Sequence, residues 1–285
     1  MKSRWVINIL LIVAVVILTL VARFEPGIDD TPPTHTLTSL RADTVQTIRI
    51  NRPLRNDLVL TRTADGWLID REPALPADGF QVRALLKLVE RAAVRSYPVA
   101  ELELSRLALD PPYASVKLDD TTIDFGSLEP LEELRYGRVA DQVHLVRDMY
   151  QHLIEADYTQ FVRRRLFAER DRITGLSLPD LEVIQSDSGW TVNPPQEVSA
   201  DALQQLVDSW EQATALHVRS AEAATGDARK IVVSLGNPER RITFQIAASD
   251  PELILVRPEL GIQYRMGSQA QGLLALPAAA SQSTP

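Results

Sequence analysis

The chain has 285 residues, a net charge of −8, 45% hydrophobic residues and no cysteine. Disulfides, thiolate metal sites and cysteine nucleophiles are thereby excluded. The acidic balance argues against nucleic acid as a partner, which would call for a basic stripe to neutralise phosphates.

In chain order, the first segment is Trp5–Ala22, WVINILLIVAVVILTLVA, eighteen residues without a charge. As a helix it would be roughly 27 Å long at about 1.5 Å per residue, close to the ~30 Å hydrocarbon layer of a bilayer. Lys2 and Arg4 precede it, and Arg23, Glu25, Asp29 and Asp30 follow. The positive-inside rule then predicts an N-terminus in the cytoplasm and a periplasmic remainder, held at a bacterial inner membrane by residues 5–22. The apolar run is longer than that of a cleaved signal peptide and ends in Val21-Ala22-Arg23-Phe24, without an A-x-A exit, so an uncleaved anchor is expected. The polar, proline-containing stretch 25–36 reads as a linker.

Beyond it the chain repeats itself. LVLTRTADGW (Leu58–Trp67) corresponds to LEVIQSDSGW (Leu181–Trp190), each a strand running into a Gly-Trp turn. A helix follows in each half, opening near Ala77-Asp78 and Ala200-Asp201. Val82, Leu85, Leu86 and Val89 make the apolar stripe of the first, and Leu203, Leu206, Val207 and Trp210 that of the second. Four strands are predicted after each helix, over 114–118, 121–125, 135–140 and 143–147, and again over 230–235, 241–246, 253–257 and 262–266. Leading strands at 45–50 and 173–178 match as well. Tyr158–Arg172, YTQFVRRRLFAERDR, is expected to be a helix joining the halves.

The expected fold class is therefore α+β: an N-terminal transmembrane helix followed by two tandem repeated modules of mainly antiparallel sheet with packed helices. The corresponding boundaries are 1–24 for the cytoplasmic tip and anchor, 25–36 for the linker and 37–157 for the first module. The connecting helix takes 158–172, the second module 173–276 and a disordered tail 277–285.

This arrangement resembles a bacterial family of unknown function, carried by Asp65-Gly66-Trp67, the Ala77-Asp78 helix start and Leu107-Ala108-Leu109-Asp110-Pro111-Pro112. The strands 114–125 with Gly126, Tyr136-Gly137-Arg138-Val139 and 143–147 add to the likeness. Members typically show Gly-Leu-Asp-x-Pro, where this chain has Ala108 in place of the glycine. The family comprises membrane-anchored extracytoplasmic proteins, often encoded beside ABC transporters of the gliding-motility type. The resemblance implies an accessory role, with ABC-type transporter subunits as partners, and brings no active-site residues with it.

The residues themselves offer little chemistry. The four histidines form no HExxH or close pair, no G-x-S-x-G elbow is present, and no glycine-rich loop precedes a Lys-Ser/Thr pair. No catalytic residue, cofactor site or metal site is expected. His144 reads as a satisfied strand histidine, Asp119-Asp120 as a hairpin turn and Glu129, Glu132 and Glu133 as a loop rim. Arg163, Arg164 and Arg165 are the candidate partner-docking residues, set against a plainer reading as a solvated helix with an Arg165–Glu169 pair. Trp67 and Trp190, in equivalent places, are expected to pack on the core, with Trp67→Ala costing about 3–5 kcal/mol. Two functions remain: a non-enzymatic accessory protein that binds protein partners, or a module holding a glycan or lipid between its halves.

Overall fold

The computed structural model describes residues 13–16, 36–221, 229–236 and 238–276. Most of the expected anchor, nearly all of the linker and the whole C-terminal tail lie outside these residues; residues 13–16 are helical. The expected fold class is corrected in two respects. The described chain is mostly β, with helix confined to short pieces, because the alternating apolar strands supply most of the core and the amphipathic segments between them are few. And no helix among the described residues is long and apolar enough to cross a membrane.

Two antiparallel sheets make up the body. The first contains β1 (Thr47–Asn51), β2 (Leu58–Thr63), β3 (Gly66–Ile69), β4 (Leu75–Pro76), β5 (Arg95–Pro98), β6 (Ala114–Leu118), β7 (Thr121–Leu128), β8 (Leu134–Val139) and β9 (Gln142–Arg147). Its order is β4-β3-β2-β1-β6-β7-β8-β9-β5. The second contains β10 (Arg172–Ser177), β11 (Glu182–Ser186), β12 (Gly189–Asn193), β13 (His217–Ser220), β14 (Lys230–Gly236), β15 (Arg240–Ala248), β16 (Ile254–Arg257) and β17 (Ile262–Arg265). Its order is β12-β11-β10-β14-β15-β16-β17-β13, the same path as the first sheet without β4. In each half the strand after the helix crosses to the far edge, and the four following strands fill the space between as hairpins.

Helix α1 (Gly79–Leu86) starts where the Asp78 carboxylate accepts the Phe80 and Gln81 amides. Helix α3 (Ala200–Glu211), the third after the single turn α2 (Gln151–Ile154), starts on the Ser199 hydroxyl instead. All eight residues of the two predicted stripes are buried, and Trp210, fully enclosed, donates its indole N–H to the Leu273 carbonyl at 2.9 Å. One contiguous apolar core runs through both halves.

The connecting segment is the element that differs most from expectation. Instead of a helix it forms a 3-10 turn at Tyr158–Phe161 and then an extended crossing. Val162 bridges Ala77 of the first half, and Arg165 bridges Thr214 of the second. The backbone bonds alternate accordingly: Asp78 N to Phe161 O at 2.6 Å and Arg163 N to Pro76 O at 2.8 Å, then Ala215 N to Arg164 O at 2.9 Å and Leu166 N to Ala213 O at 3.1 Å. Phe161 and Val162 are buried on one side of the arginines, Leu166 and Phe167 on the other. A helix would direct these groups to one body, whereas an extended strand lets each satisfy a different half.

A cation-rich cleft between the halves as the candidate site

The crossing forms one wall of a cleft of about 1070 Å³. The Asp65-Gly66-Trp67 turn, residues of α1 and the following Lys87 also line it, and Arg240 joins them from the second half. Seven cations line it (Arg62, Arg83, Lys87, Arg163, Arg165, Arg170 and Arg240) against three acids, Asp43, Asp65 and Glu169. In a chain of net charge −8 this is a local reversal of sign.

Three of the cations are neutralised. The Arg170 guanidinium takes both oxygens of Asp65 at 2.6 and 2.8 Å, Arg240 pairs with Asp171, and Arg165 lies 3.6 Å from Glu169. Arg62 is held differently. Its Nε donates to the Val45 carbonyl at 2.7 Å, and its guanidinium lies 4.8 Å from the centre of the Trp67 ring, a cation–π stack that fixes the indole in the cleft wall. Arg83 and Lys87 have no ion pair among the described residues, and neither has Arg163. The Arg163 Nε is buried without a hydrogen-bond partner. Burial, reinforced by Arg240 and Arg257, holds the Arg163 pKa below the ordinary arginine value, and Tyr264 and Asp171 oppose that shift.

The predicted docking residues are thus split. Arg163 and Arg165 line the cleft, whereas Arg164 is exposed outside it, 3.5 Å from Asp78. The Arg165–Glu169 pair forms, though on an extended segment and a turn instead of a helix. Arg62, Arg83, Lys87 and Arg240 were not singled out from the sequence. Arg62, Arg83 and Lys87 come from a strand and the helix of the first half, and the pairing of the two halves brings Arg240 to them.

The other candidates have structural partners. His144, buried, has its Nδ1 2.8 Å from the Ser96 hydroxyl. The Asp119 carboxylate accepts the Gln46 and Thr47 amides, clamping the β6–β7 turn onto the start of β1. Glu129 accepts the Leu131 and Glu132 amides within its own loop, and Glu132 pairs with Arg95 at 2.6 Å. Among the described residues no three histidine or acidic side chains gather as metal ligands. Trp67 and Trp190 both pack on the core edge while remaining partly exposed.

Comparison with curated proteins and with solved structures finds no match. Among protein families, residues 67–231 match the "Domain of unknown function (DUF4340)". The match starts at Trp67 in the cleft wall, includes the whole connecting segment and ends at Ile231 in β14. It covers more than half of the chain, which therefore belongs to the DUF4340 family.

Proposed function

We propose that this protein is a non-enzymatic interaction subunit of the bacterial envelope that docks a membrane-protein partner in the cleft between its halves. The observation that carries this reading is the concentration of Arg83, Lys87 and Arg163, none in an ion pair among the described residues, in a cleft with the partly exposed Trp67 in its wall. Uncompensated cations beside an aromatic surface suit an acidic, partly apolar protein segment. The family resemblance directs attention to subunits of an ABC-type transporter as the partner. The charge asymmetry around residues 5–22 and their apolar composition support association with the inner membrane and a periplasmic site of action.

A second reading, an anionic glycan or lipid headgroup held in the same cleft, draws support from the Arg62–Trp67 stack, a surface on which a sugar ring or an acyl chain could lie.

Affinity capture of the full-length protein in mild detergent distinguishes them. Transporter subunits should be recovered with the wild type and lost with Arg163→Glu/Arg165→Glu, thermal melting serving to show that the variant is folded. Recovery of the same subunits by the folded variant would remove the cleft from the docking role. A wild-type preparation that recovers no protein partner would overturn the docking function in favour of the ligand reading.

A further inference from the structure

The two halves provide an internal comparison. They share a strand path, a Gly-Trp turn and a helix with the same buried stripe. Trp67 lies opposite Arg62 across β2 and β3, and Trp190 lies opposite Gln185 across β11 and β12. When α1 and α3 are matched from their first residues, Arg83 falls on Gln204 and Lys87 on Asp208. The cations that the first half contributes to the cleft are thus all absent from the equivalent places of the second. There Gln204 accepts the Trp190 indole N–H at 2.8 Å and donates to Asp208 at 2.7 Å, a closed local network. The module folds without cations at these positions: Arg62 has a structural role in the first half, whereas Arg83 and Lys87, at the C-terminal end of α1, make no ion pair among the described residues.

Arg83 and Lys87 stand one helical turn apart, a spacing at which like charges disfavour a helix unless an anion is brought to them. Arg163 enters the same cleft from the connecting segment, with its buried Nε unpartnered. The unpaired cations therefore come from two separate segments, the end of α1 and the crossing, and offer more than one positive charge to a chain of anionic groups. Asp43, Asp65 and Glu169 stand among them, each already paired with an arginine: Arg41, Arg170 and Arg165 in turn. A polypeptide tolerates those acids, because its carboxylates are separated and its backbone N–H groups can donate to them.

On this basis, and resting on the docking reading above, we infer that the cleft is a receptor for an extended acidic segment of the partner. Its carboxylates meet Arg83, Lys87 and Arg163, and its apolar side chains lie against Trp67 and Leu68. The volume of about 1070 Å³ is suited to several residues of such a segment.

The test uses the full-length protein in detergent and a short fluorescein-labelled peptide alternating aspartate with leucine. Its lysine–leucine counterpart and phosphatidylglycerol vesicles are the comparison probes. The acidic peptide should bind and the basic one should not. Arg83→Gln/Lys87→Gln should weaken binding about tenfold or more without lowering the melting temperature, and Arg106→Gln, outside the cleft, should leave binding unchanged. Equal affinity in the double variant, or binding of vesicles with no binding of the peptide, would overturn the inference. The two claims fail separately. Cleft-dependent peptide binding with no protein captured would sink the accessory function and leave the receptor standing. Capture lost in Arg163→Glu/Arg165→Glu with no peptide bound would do the reverse.

Discussion

Val162 lies opposite Ala77 in an antiparallel bridge, and three residues further on Arg165 lies opposite Thr214. One short extended stretch is therefore shared between the halves, with Phe161, Val162, Leu166 and Phe167 all buried along it. Since the apolar core is continuous through this junction, the halves should unfold together. Phe161→Ala, at a fully buried site, is expected to cost about 3–5 kcal/mol. Calorimetry should show one transition moved to lower temperature. Two separate transitions, only one of them shifted, would show that the halves are independent.

The tryptophans divide by burial. Trp210 is fully enclosed, touches Phe244 at a centroid distance of 6.1 Å and spends its N–H on the Leu273 carbonyl. Trp210→Ala should therefore cost about 3–5 kcal/mol. Trp67 remains partly exposed beneath Arg62, so its loss removes less buried area than the full core value presumes. About 1–2 kcal/mol is expected for Trp67→Ala on the scale of partial aromatic burial. Urea midpoints of the two variants decide the order, and a Trp67→Ala loss equal to that of Trp210→Ala would restore Trp67 to the full core role.

What the sequence made legible was local. The stripes Val82–Leu85–Leu86 and Leu203–Leu206–Val207–Trp210 obey the helical period because one face of each helix meets one core, and Val89 is buried in the turn just past α1. The Gly66-Trp67 and Gly189-Trp190 turns were readable because both glycines adopt positive φ. The connecting segment misled because Phe161 and Leu166, with Arg165 and Glu169 four apart, imitate an amphipathic helix, whereas its apolar pairs serve two bodies. The cleft is non-local: Arg62, Arg83 and Arg240 meet the connecting arginines only after both sheets have formed. A signal was nevertheless present in the comparison of repeats, where Arg83 and Lys87 stand against Gln204 and Asp208.

Tyr264 introduces a pH dependence on the alkaline side. Burial against Phe244 raises its pKa, and Arg257 opposes that shift only in part. The unfolded chain ionises this phenol near the ordinary value of about 10, while the folded chain resists ionisation until higher pH. The folded state thus binds the proton more tightly. Its stability is full below about pH 10 and declines as pH rises from there through the raised pKa. Tyr264→Phe should flatten this decline in urea midpoints measured from about pH 8 to about pH 11. The half-buried Tyr150, also raised by burial, leaves a smaller residual slope. An unchanged alkaline slope in Tyr264→Phe would assign the dependence elsewhere.

Gly126 marks a close approach of backbone to backbone. It sits in β7 where the register with β8 shifts between Phe125 and Leu128, a bulge that turns the strand toward the Leu104–Leu107 turn. A Cβ at this position would meet the Leu107 carbonyl oxygen at 2.2 Å and the Leu109 side chain at 3.0 Å. The first contact is with main chain, so no rotamer change relieves it. Nearby, Arg135 donates to the Gly126 carbonyl at 2.6 Å and pairs with Asp148 at 2.8 Å in a largely buried bridge. A shift of β7 would therefore disturb the partners of a buried charge as well as the packing. Gly126→Ala is expected to cost about 1–3 kcal/mol from overpacking alone, and more where the Arg135 contacts are lost. Gly137→Ala, on the neighbouring strand with its nearest atom at 4.0 Å, should be far milder. Chemical denaturation of the two variants provides the comparison, and equal losses would mean that β7 yields freely at Gly126.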